Sequence, residues 1–160
     1  ARVIGTASTP EGRAAVLAAG ATHAIDHTDP GHLDEVRRLT AGRGADLIIE
    51  MRADLNLYDD IHLLAPRGRI VIVGARGRAE IAPRSLMGAD GDIRGVLLWN
   101  MDDNEVADGF AEIDRMLREG AIRPVVGTRF PLTAAGEAQE HVMSGGAAGR
   151  VVLTMGSSPA

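Results

Sequence analysis

Short apolar runs alternate with segments of helical period along the first half of the chain, and this alternation restricts the fold more than any other feature. The apolar runs are RVIGTA (2–7), THAID (22–26), DLIIE (46–50) and GRIVIVG (68–74). Apolar residues recur at helical spacing in the intervening segments, which are 10–20, 30–44 and 54–65. Because parallel strands need crossovers and continuously apolar strands are covered on both faces, the pattern predicts a doubly wound α/β domain with a parallel sheet.

The alternation becomes less regular after residue 74. A loop-rich stretch over 74–91 contains one helical turn near 83–87 and leads into a further predicted strand, IRGVLLW (93–99). The later predicted elements are a helix over 102–119, an extended segment over 122–132, a helix over 133–143 and a strand over 150–155. The α/β domain is therefore followed by a C-terminal helix-strand segment.

Composition excludes several classes of function. The 160 residues include 17 basic side chains, all of them arginine, and 22 acidic ones, which gives a formal charge of −5, and there is no cysteine. The lack of cysteine rules out disulfides, thiolate zinc sites, iron–sulfur clusters and a cysteine nucleophile within this segment, and the acidic balance argues against nucleic-acid binding. No apolar run reaches about 18 residues and no signal peptide is recognisable, so we expect a cytoplasmic protein that does not cross a membrane.

One expected motif is missing. A dinucleotide-binding domain normally begins with a strand, a glycine-rich turn and a helix whose N-terminus binds the pyrophosphate. No G-x-G-x-x-G follows the first strand here, and GARG (74–77) has no helical pattern behind it. Either the chain is not a dinucleotide domain, or it is a Rossmann-like domain lacking the first strand and the glycine-rich loop. The second reading is better supported, because RVIGTASTPEGR (2–13) looks like the second strand, where the adenosine ribose is bound.

The end of that strand predicts a preference for NADP over NAD. An NAD site usually carries an Asp or Glu here for the ribose 2′-hydroxyl, whereas this strand ends in Thr6, Ala7, Ser8 and Thr9. Hydroxyl groups, a helix N-terminus and the nearby Arg13 would attract a 2′-phosphate that a carboxylate would repel. A competing interpretation is that Ser8 and Thr9 merely cap the helix and that Arg13 is a solvated surface charge.

A series of motifs follows in colinear order along nearly the whole chain: IGTASTPEG, GATHAIDH, DLIIEM, GRIVIVGARG, IAPRSLM, GVLLW, RPVVGTRFPL and HVMSGGAAGR. Together they resemble the zinc-independent quinone oxidoreductases, zeta-crystallin-like members of the medium-chain dehydrogenase/reductase superfamily. The resemblance implies that a catalytic domain and the glycine-rich loop precede residue 1. It also implies that 1–128 is a partial dinucleotide-binding domain, and that 129–160 packs on that catalytic domain, with a last strand that lacks its usual partners here.

The resemblance also implies which residues contact NADP(H). Ser8 would lie at the 2′-phosphate and His27 beside the adenosine, while Asn56 matches a cofactor-contacting asparagine. Arg52 stands where a small or apolar residue is expected. The strand ends beside the nicotinamide and its ribose would be formed by Val73, Gly74, Ala75 and Arg76, and by Val96, Leu97 and Leu98. A second interpretation, compatible with cofactor binding, is that Val96–Leu98 is an ordinary buried or edge strand.

No catalytic side chain and no metal site is predicted. The histidines lack metal-binding spacing, and the acidic cluster Asp102, Asp103 and Glu105 fits the start of a helix. The resemblance implies a homodimer through the strand Ile93–Trp99 and a small quinone or enone substrate. Three functions remain open: part of an NADPH-dependent quinone or enone reductase, part of an enoyl-thioester reductase of the same superfamily, or a non-catalytic nucleotide-binding or structural relative.

Overall fold

The computed structural model describes residues 1–144 and 149–156. Its strands are β1 (Ile4–Thr6), β2 (His23–Ile25), β3 (Ala45–Glu50), β4 (Leu64–Ile72), β5 (Asp92–Gly95), β6 (Val126–Pro131) and β7 (Arg150–Thr154). Its helices are α1 (Pro10–Ala18), α2 (His32–Leu39), α3 (Ala53–Leu63), α4 (Pro83–Gly88), α5 (Asp103–Arg118) and α6 (Ala135–Ser144). Single 3₁₀ turns occur at Leu98–Asn100 and Leu132–Ala134.

Every strand pairing in the described ranges is parallel. β1 pairs with β2, β4 lies between β3 and β5, and β6 pairs with β7. The predicted α/β fold with parallel strands and intervening helices is thereby confirmed. The strands form a pair, a triplet and a second pair.

The first pair and the triplet match a known arrangement with one strand removed. The doubly wound dinucleotide fold has the strand order 3-2-1-4-5-6, so its first strand lies at the centre. Without that strand, strands 3-2 and 4-5-6 remain as a pair and a triplet. The observed orders β2-β1 and β3-β4-β5 have this grouping, as expected for a Rossmann-like domain without its first strand.

The chain divides into two compact units, which are described separately. One comprises Ala1–Thr28 and Ala107–Ala160, and the other comprises Asp29–Val106. In the first unit α1 packs on β1 and β2, while α6 packs on β6 and β7. In the second unit α3 packs on β3 and β4, so each sheet segment has a helix along one face.

The core of the second unit lies between α3 and the triplet of strands. The apolar residues of α3 recur every fourth position, which places them on one face of the helix. Ile61 and Ile70 are the largest side chains that are fully buried among the described residues. The buried cluster consists of Ala53, Leu57, Ile61, Leu64 and Ile70, with Ile48, Ile72, Leu86, Ala89 and Ile93 packed against it.

Two predicted elements end four or five residues before their sequence patterns do. The helix predicted over 30–44 ends at Leu39, because Ala41 and then Gly42 and Gly44 adopt positive φ. The strand predicted over Ile93–Trp99 ends at Gly95, which pairs with Ile72 at the end of β4. The last hydrogen bond between the two segments runs from the Val96 N–H to the Ile72 carbonyl. Because β4 ends at Ile72, the chain has no strand to pair with beyond this point, and it enters the 3₁₀ segment at Leu98.

The last strand has a partner within the chain, because β7 pairs in parallel with β6. The predicted boundary between 1–128 and 129–160 falls inside β6, and it stays a prediction. Residues 145–148 and 157–160 of the predicted C-terminal segment lie outside the described ranges. In the part of the chain that is described, no helix has both the length and the apolar character needed to cross a bilayer.

Candidate functional site

A shallow groove opens at the carboxyl ends of β4 and β5. Because the two strands are parallel, these ends meet at the same edge of the sheet, which is where open α/β sheets bind ligands. The groove has a volume of about 360 Å³. Its lining residues are Ile72, Val73, Gly74, Ala75, Gly95, Val96, Leu97 and Asn100. Five predicted cofactor-binding residues therefore lie together here, namely Val73, Gly74, Ala75, Val96 and Leu97.

Two residues predicted for the same site do not line the groove. The first is Leu98, which begins the 3₁₀ turn and is largely exposed, like the neighbouring Trp99, which is 89% exposed. The second is Arg76, which follows the end of β4 and whose main-chain N–H is bound by Asp54. The pattern IRGVLLW was mistaken for one continuous strand because strand propensity does not reveal where the pairing partner ends.

Gly74 occupies a position that only glycine fits. A Cβ atom placed on Gly74 would lie 2.4 Å from the carbonyl oxygen of Met51. The Gly74 carbonyl accepts a hydrogen bond of 3.0 Å from the Ala53 N–H, and the Val73 and Gly74 N–H groups both point to the Glu50 carbonyl. The close approach that demands glycine is therefore to the turn after β3.

Asp54 fixes the loop beyond Gly74. Its Oδ1 accepts a 3.1 Å hydrogen bond from the Arg76 N–H, and the carboxylate also receives the Arg52 guanidinium at 3.1 and 3.2 Å. The hydrogen bond from Arg52, followed by that from Arg76, lowers the pKa of Asp54 to about 2. Arg52, the residue that departs from the family pattern, thus serves as the partner of Asp54. Sequence reasoning missed Asp54 because its contact with Arg76 joins the first turn of α3 to the loop after β4, and only the parallel sheet brings these two segments together.

Asn56 also acts within the protein framework. Its Nδ2 donates to Glu50 Oε1 at 3.1 Å, and the Arg52 N–H donates to the same oxygen. Asn56 does not line the groove. Glu50 is only 6% exposed, and the carboxyl group of Asp60, which is 8% exposed, lies beside it. The sequence did not predict that Glu50 and Asp60 are both buried, because each is simply a carboxylate in an otherwise apolar segment.

The residues predicted to bind the adenosine end belong to the first unit. Thr9 is the N-cap of α1, and its Oγ1 accepts a 3.0 Å hydrogen bond from the Gly12 N–H, so the capping interpretation is confirmed for Thr9. Ser8, immediately before the cap, is exposed, and so is His27 after β2. The side chains of Ser8 and His27 remain available at the carboxyl ends of the paired strands β1 and β2.

Arg13 is not a solvated surface charge. Its Nη1 donates to Asp26 Oδ2 at 2.7 Å and to the Ala7 carbonyl at 3.2 Å, and the two side chains are 27% and 30% exposed. Bonds from the Thr28 hydroxyl and N–H, and then the Arg13 charge, lower the pKa of Asp26. No carboxylate ends β1 itself, but the parallel neighbour β2 brings Asp26 to the same edge, which the pairing of Thr6 with Ile25 makes evident.

The fold agrees with comparisons to known proteins. A family model described as zinc-binding dehydrogenase matches residues 19–153, and the chain belongs to this family, within the medium-chain dehydrogenase/reductase superfamily. Its resemblance to the zeta-crystallin-like quinone oxidoreductases is confirmed: it is 38% identical over 155 residues to the quinone oxidoreductase of Lama guanicoe. That match covers 96% of this chain and 47% of the relative, so the chain spans about half the length of the relatives it matches.

Solved structures give the same result for the fold. The structure of an NAD-dependent alcohol dehydrogenase is 32% identical, has a TM-score of 0.85, and is matched over 97% of this chain and 44% of that one. A mycobacterial protein in complex with NADPH is 28% identical with a TM-score of 0.82, over 95% of this chain and 49% of that one. The first of these proteins is NAD-dependent and the second is bound to NADPH, so structural similarity alone does not assign one of the two cofactors to this chain.

Zinc, which the family description mentions, does not fit the residues present. The sequence contains no cysteine. Across residues 1–144 and 149–156, no three His, Asp or Glu side chains are grouped so that they could hold a metal ion.

Proposed function

We propose that the complete protein is an NADPH-dependent reductase of quinones or other α,β-unsaturated carbonyl compounds, and that this chain supplies much of its cofactor site. The observation that carries the proposal is the groove at the ends of β4 and β5, in a chain similar to quinone oxidoreductases. The similarity to a protein in complex with NADPH supports the choice of cofactor.

The groove suits a nicotinamide ring. It is lined by Val73 and Ala75 at the end of β4 and by Val96 and Leu97 after β5, and polar as well as apolar atoms face it. A ring bound between these two strand ends would be held in one orientation, and a bound dihydronicotinamide supplies the hydride for such a reduction. The Asp54 carboxylate, by holding the Arg76 N–H, keeps the loop that forms one wall in place. These residues position the ring, and no side-chain base is required of them.

A second group of predicted cofactor-binding residues lies in the first unit. The exposed hydroxyl of Ser8 stands just before the N-terminus of α1, where main-chain N–H groups favour an anion. His27 and Arg13 add basic groups at the same strand ends, although Asp26 already holds one nitrogen of Arg13. We therefore assign Ser8, Arg13 and His27 to the 2′-phosphate end of NADPH, with Thr9 contributing through the helix cap.

The direct test is turnover by the complete protein. We expect it to oxidise NADPH in the presence of a simple quinone such as 1,4-benzoquinone or 9,10-phenanthrenequinone. An enoyl thioester measured in parallel distinguishes a quinone reductase from an enoyl-thioester reductase. Faster turnover of the thioester would assign the protein to the second class. Lack of NADPH binding, measured by fluorescence titration, would contradict the proposal and favour a structural role.

We also propose a homodimer through the edge of β5. β5 pairs only with β4 among the described strands, and the segment after it exposes Val96, Leu97, Leu98 and Trp99. Apolar groups at an open strand edge favour pairing with a second copy. Leu98→Glu should convert the complete protein from dimer to monomer in light scattering, whereas Met87→Glu, an equally exposed apolar site on α4, should not. A wild-type monomer would contradict the dimer.

A further inference from the structure

Two buried carboxyl groups lie behind the groove on elements that touch. Glu50 Oε1 accepts a 3.1 Å hydrogen bond from Asn56 Nδ2, and Asp60 follows Asn56 by one turn on the same face of α3. Glu50 ends β3 and Asp60 belongs to α3, and both are more than nine-tenths buried. Asp60 Oδ2 is fully buried and has no hydrogen-bond partner among the described residues. Two buried carboxylates in contact cannot both ionise without a large desolvation and repulsion cost. One of the two must therefore hold a proton over part of the neutral range.

The charges around the pair do not supply a buried cation. The groups that act on Asp60 are Glu50 from β3 and Asp59 from α3 itself, and both are acidic. Arg52, the nearest base to Glu50, is 40% exposed and hydrogen-bonded to Asp54. The other elements packed on α3 contribute charged residues that are exposed or ion-paired on the surface: Asp34, Glu35, Arg37 and Arg38 on α2, Arg84 on α4, and Arg67 and Arg69 on β4.

Glu50 is also the residue that joins the strand end to the turn. Its carbonyl receives the N–H groups of Val73 and Gly74 at 2.8 and 3.2 Å, and its Oε1 receives the Arg52 N–H and the Asn56 amide. The turn over 51–53 touches Gly74 through the Met51 carbonyl and the Ala53 N–H. A change in the charge or position of the Glu50 side chain is therefore transmitted directly to the groove wall.

We propose that Asp60 holds a proton that it shares with the Glu50 carboxylate through a hydrogen bond, and that Asp60 is a positioning residue whose proton keeps the Glu50 carboxylate in place and so holds the turn at 51–53 beneath Gly74. Only the effect on cofactor binding rests on the proposed function. Loss of the proton would leave two adjacent buried charges, and the pair would relax by moving apart or admitting water. The groove wall at Gly74 would then lose its support.

The direction of the pH dependence follows from the environment of Asp60. Burial first, and then the hydrogen bond and charge of Glu50, raise the pKa of Asp60 to about 8, against 3.8 for an ordinary aspartate. The folded state thus retains a proton that the unfolded chain releases near pH 4. The stabilisation is complete below that pH, declines as the pH rises toward 8, and levels off above it.

The test uses the complete protein and two neutral variants. Between pH 6 and pH 9, without ligand, the melting temperature of the wild type should fall by at least about 5 °C more than that of the neutral variants. Asp60→Asn keeps the shape and can donate to Glu50, and Glu50→Gln removes the other charge, so each should flatten the profile. Asp59→Asn, the same change on the exposed side of α3, should leave most of the fall intact. A wild-type profile parallel to that of Asp60→Asn would overturn the shared proton.

Cofactor affinity tests the positioning role. Between pH 7 and pH 9, a range above the titration of the 2′-phosphate near pH 6, the Kd for NADPH should rise about threefold or more in the wild type and stay level in Asp60→Asn. A level Kd in both proteins, together with the melting difference, would overturn the positioning role and leave a purely structural proton. If NADPH does not bind at any pH, the proposed function and the positioning role both fail, while the melting profiles still decide the shared proton.

Discussion

Replacement of Gly74 by alanine in the complete protein should weaken NADPH binding by about 100-fold and lower stability by about 1–3 kcal/mol. The added Cβ would sit 2.4 Å from the Met51 carbonyl oxygen and 3.1 Å from its carbon. The obstructing atoms belong to the main chain, so they cannot move aside as a flexible side chain would. Either the end of β4 or the turn after β3 must shift, and both form or support the groove. Fluorescence titration with NADPH and thermal unfolding measure the two effects.

Gly88→Ala is the matched control. Gly88 is the last residue of α4, and a Cβ there would meet no atom within 4 Å among the described residues. Alanine at a helical position usually stabilises by about 0.5–1 kcal/mol relative to glycine. Wild-type affinity in Gly88→Ala together with a large loss in Gly74→Ala is the expected result. Equal affinity in the two variants would show that the strand end at Gly74 does not contribute to the cofactor site.

Substitution of Arg13 by alanine should reduce the preference for NADPH over NADH by about tenfold or more. Charge-assisted hydrogen bonds of this kind contribute about 1.5–3 kcal/mol, and the variant also leaves the Asp26 carboxylate unpaired near a phosphate it would repel. Asp26→Asn should act in the opposite direction, because it releases the guanidinium and removes the negative charge. The measurement is the ratio of the two dissociation constants.

Arg37→Ala serves as the control for this series. Arg37 lies on α2, where its guanidinium pairs with Asp34 three residues earlier, and both side chains are largely exposed. The loss of that charge should change the affinities for NADPH and NADH equally and only slightly. A cofactor ratio that is the same in Arg13→Ala and the wild type would move the 2′-phosphate site away from α1.

Much of the fold could be predicted because it depends on local patterns. Apolar runs at 46–50 and 68–74 gave β3 and β4, and the helical spacing between them gave α3. The errors occur at element ends, where contacts distant in sequence decide. β5 ends where its partner β4 ends, and α2 ends where Ala41 takes a positive φ. The strand propensity of Val96–Trp99 does not indicate that β5 ends at Gly95, and the composition of 40–44 does not indicate that α2 ends at Leu39.

The site was predicted in part for the same reason. Groove-lining residues on β4 and after β5 follow from a resemblance and from the rule that ligands bind at strand ends. The polar contacts behind them do not, since Arg13 with Asp26, Arg76 with Asp54, and Asp60 with Glu50 depend on the register of neighbouring elements. A spacing pattern identifies which residue types are present, and register decides which of them meet.

The strand pairings bear on how protection from solvent is distributed. Among the described strands, only β4 is bonded on both sides, while every other strand has a partner on one side only. Amide hydrogens on β4, which also contains the fully buried Ile70, should be the last to be replaced by deuterium, and those facing outward from the single-sided strands among the first.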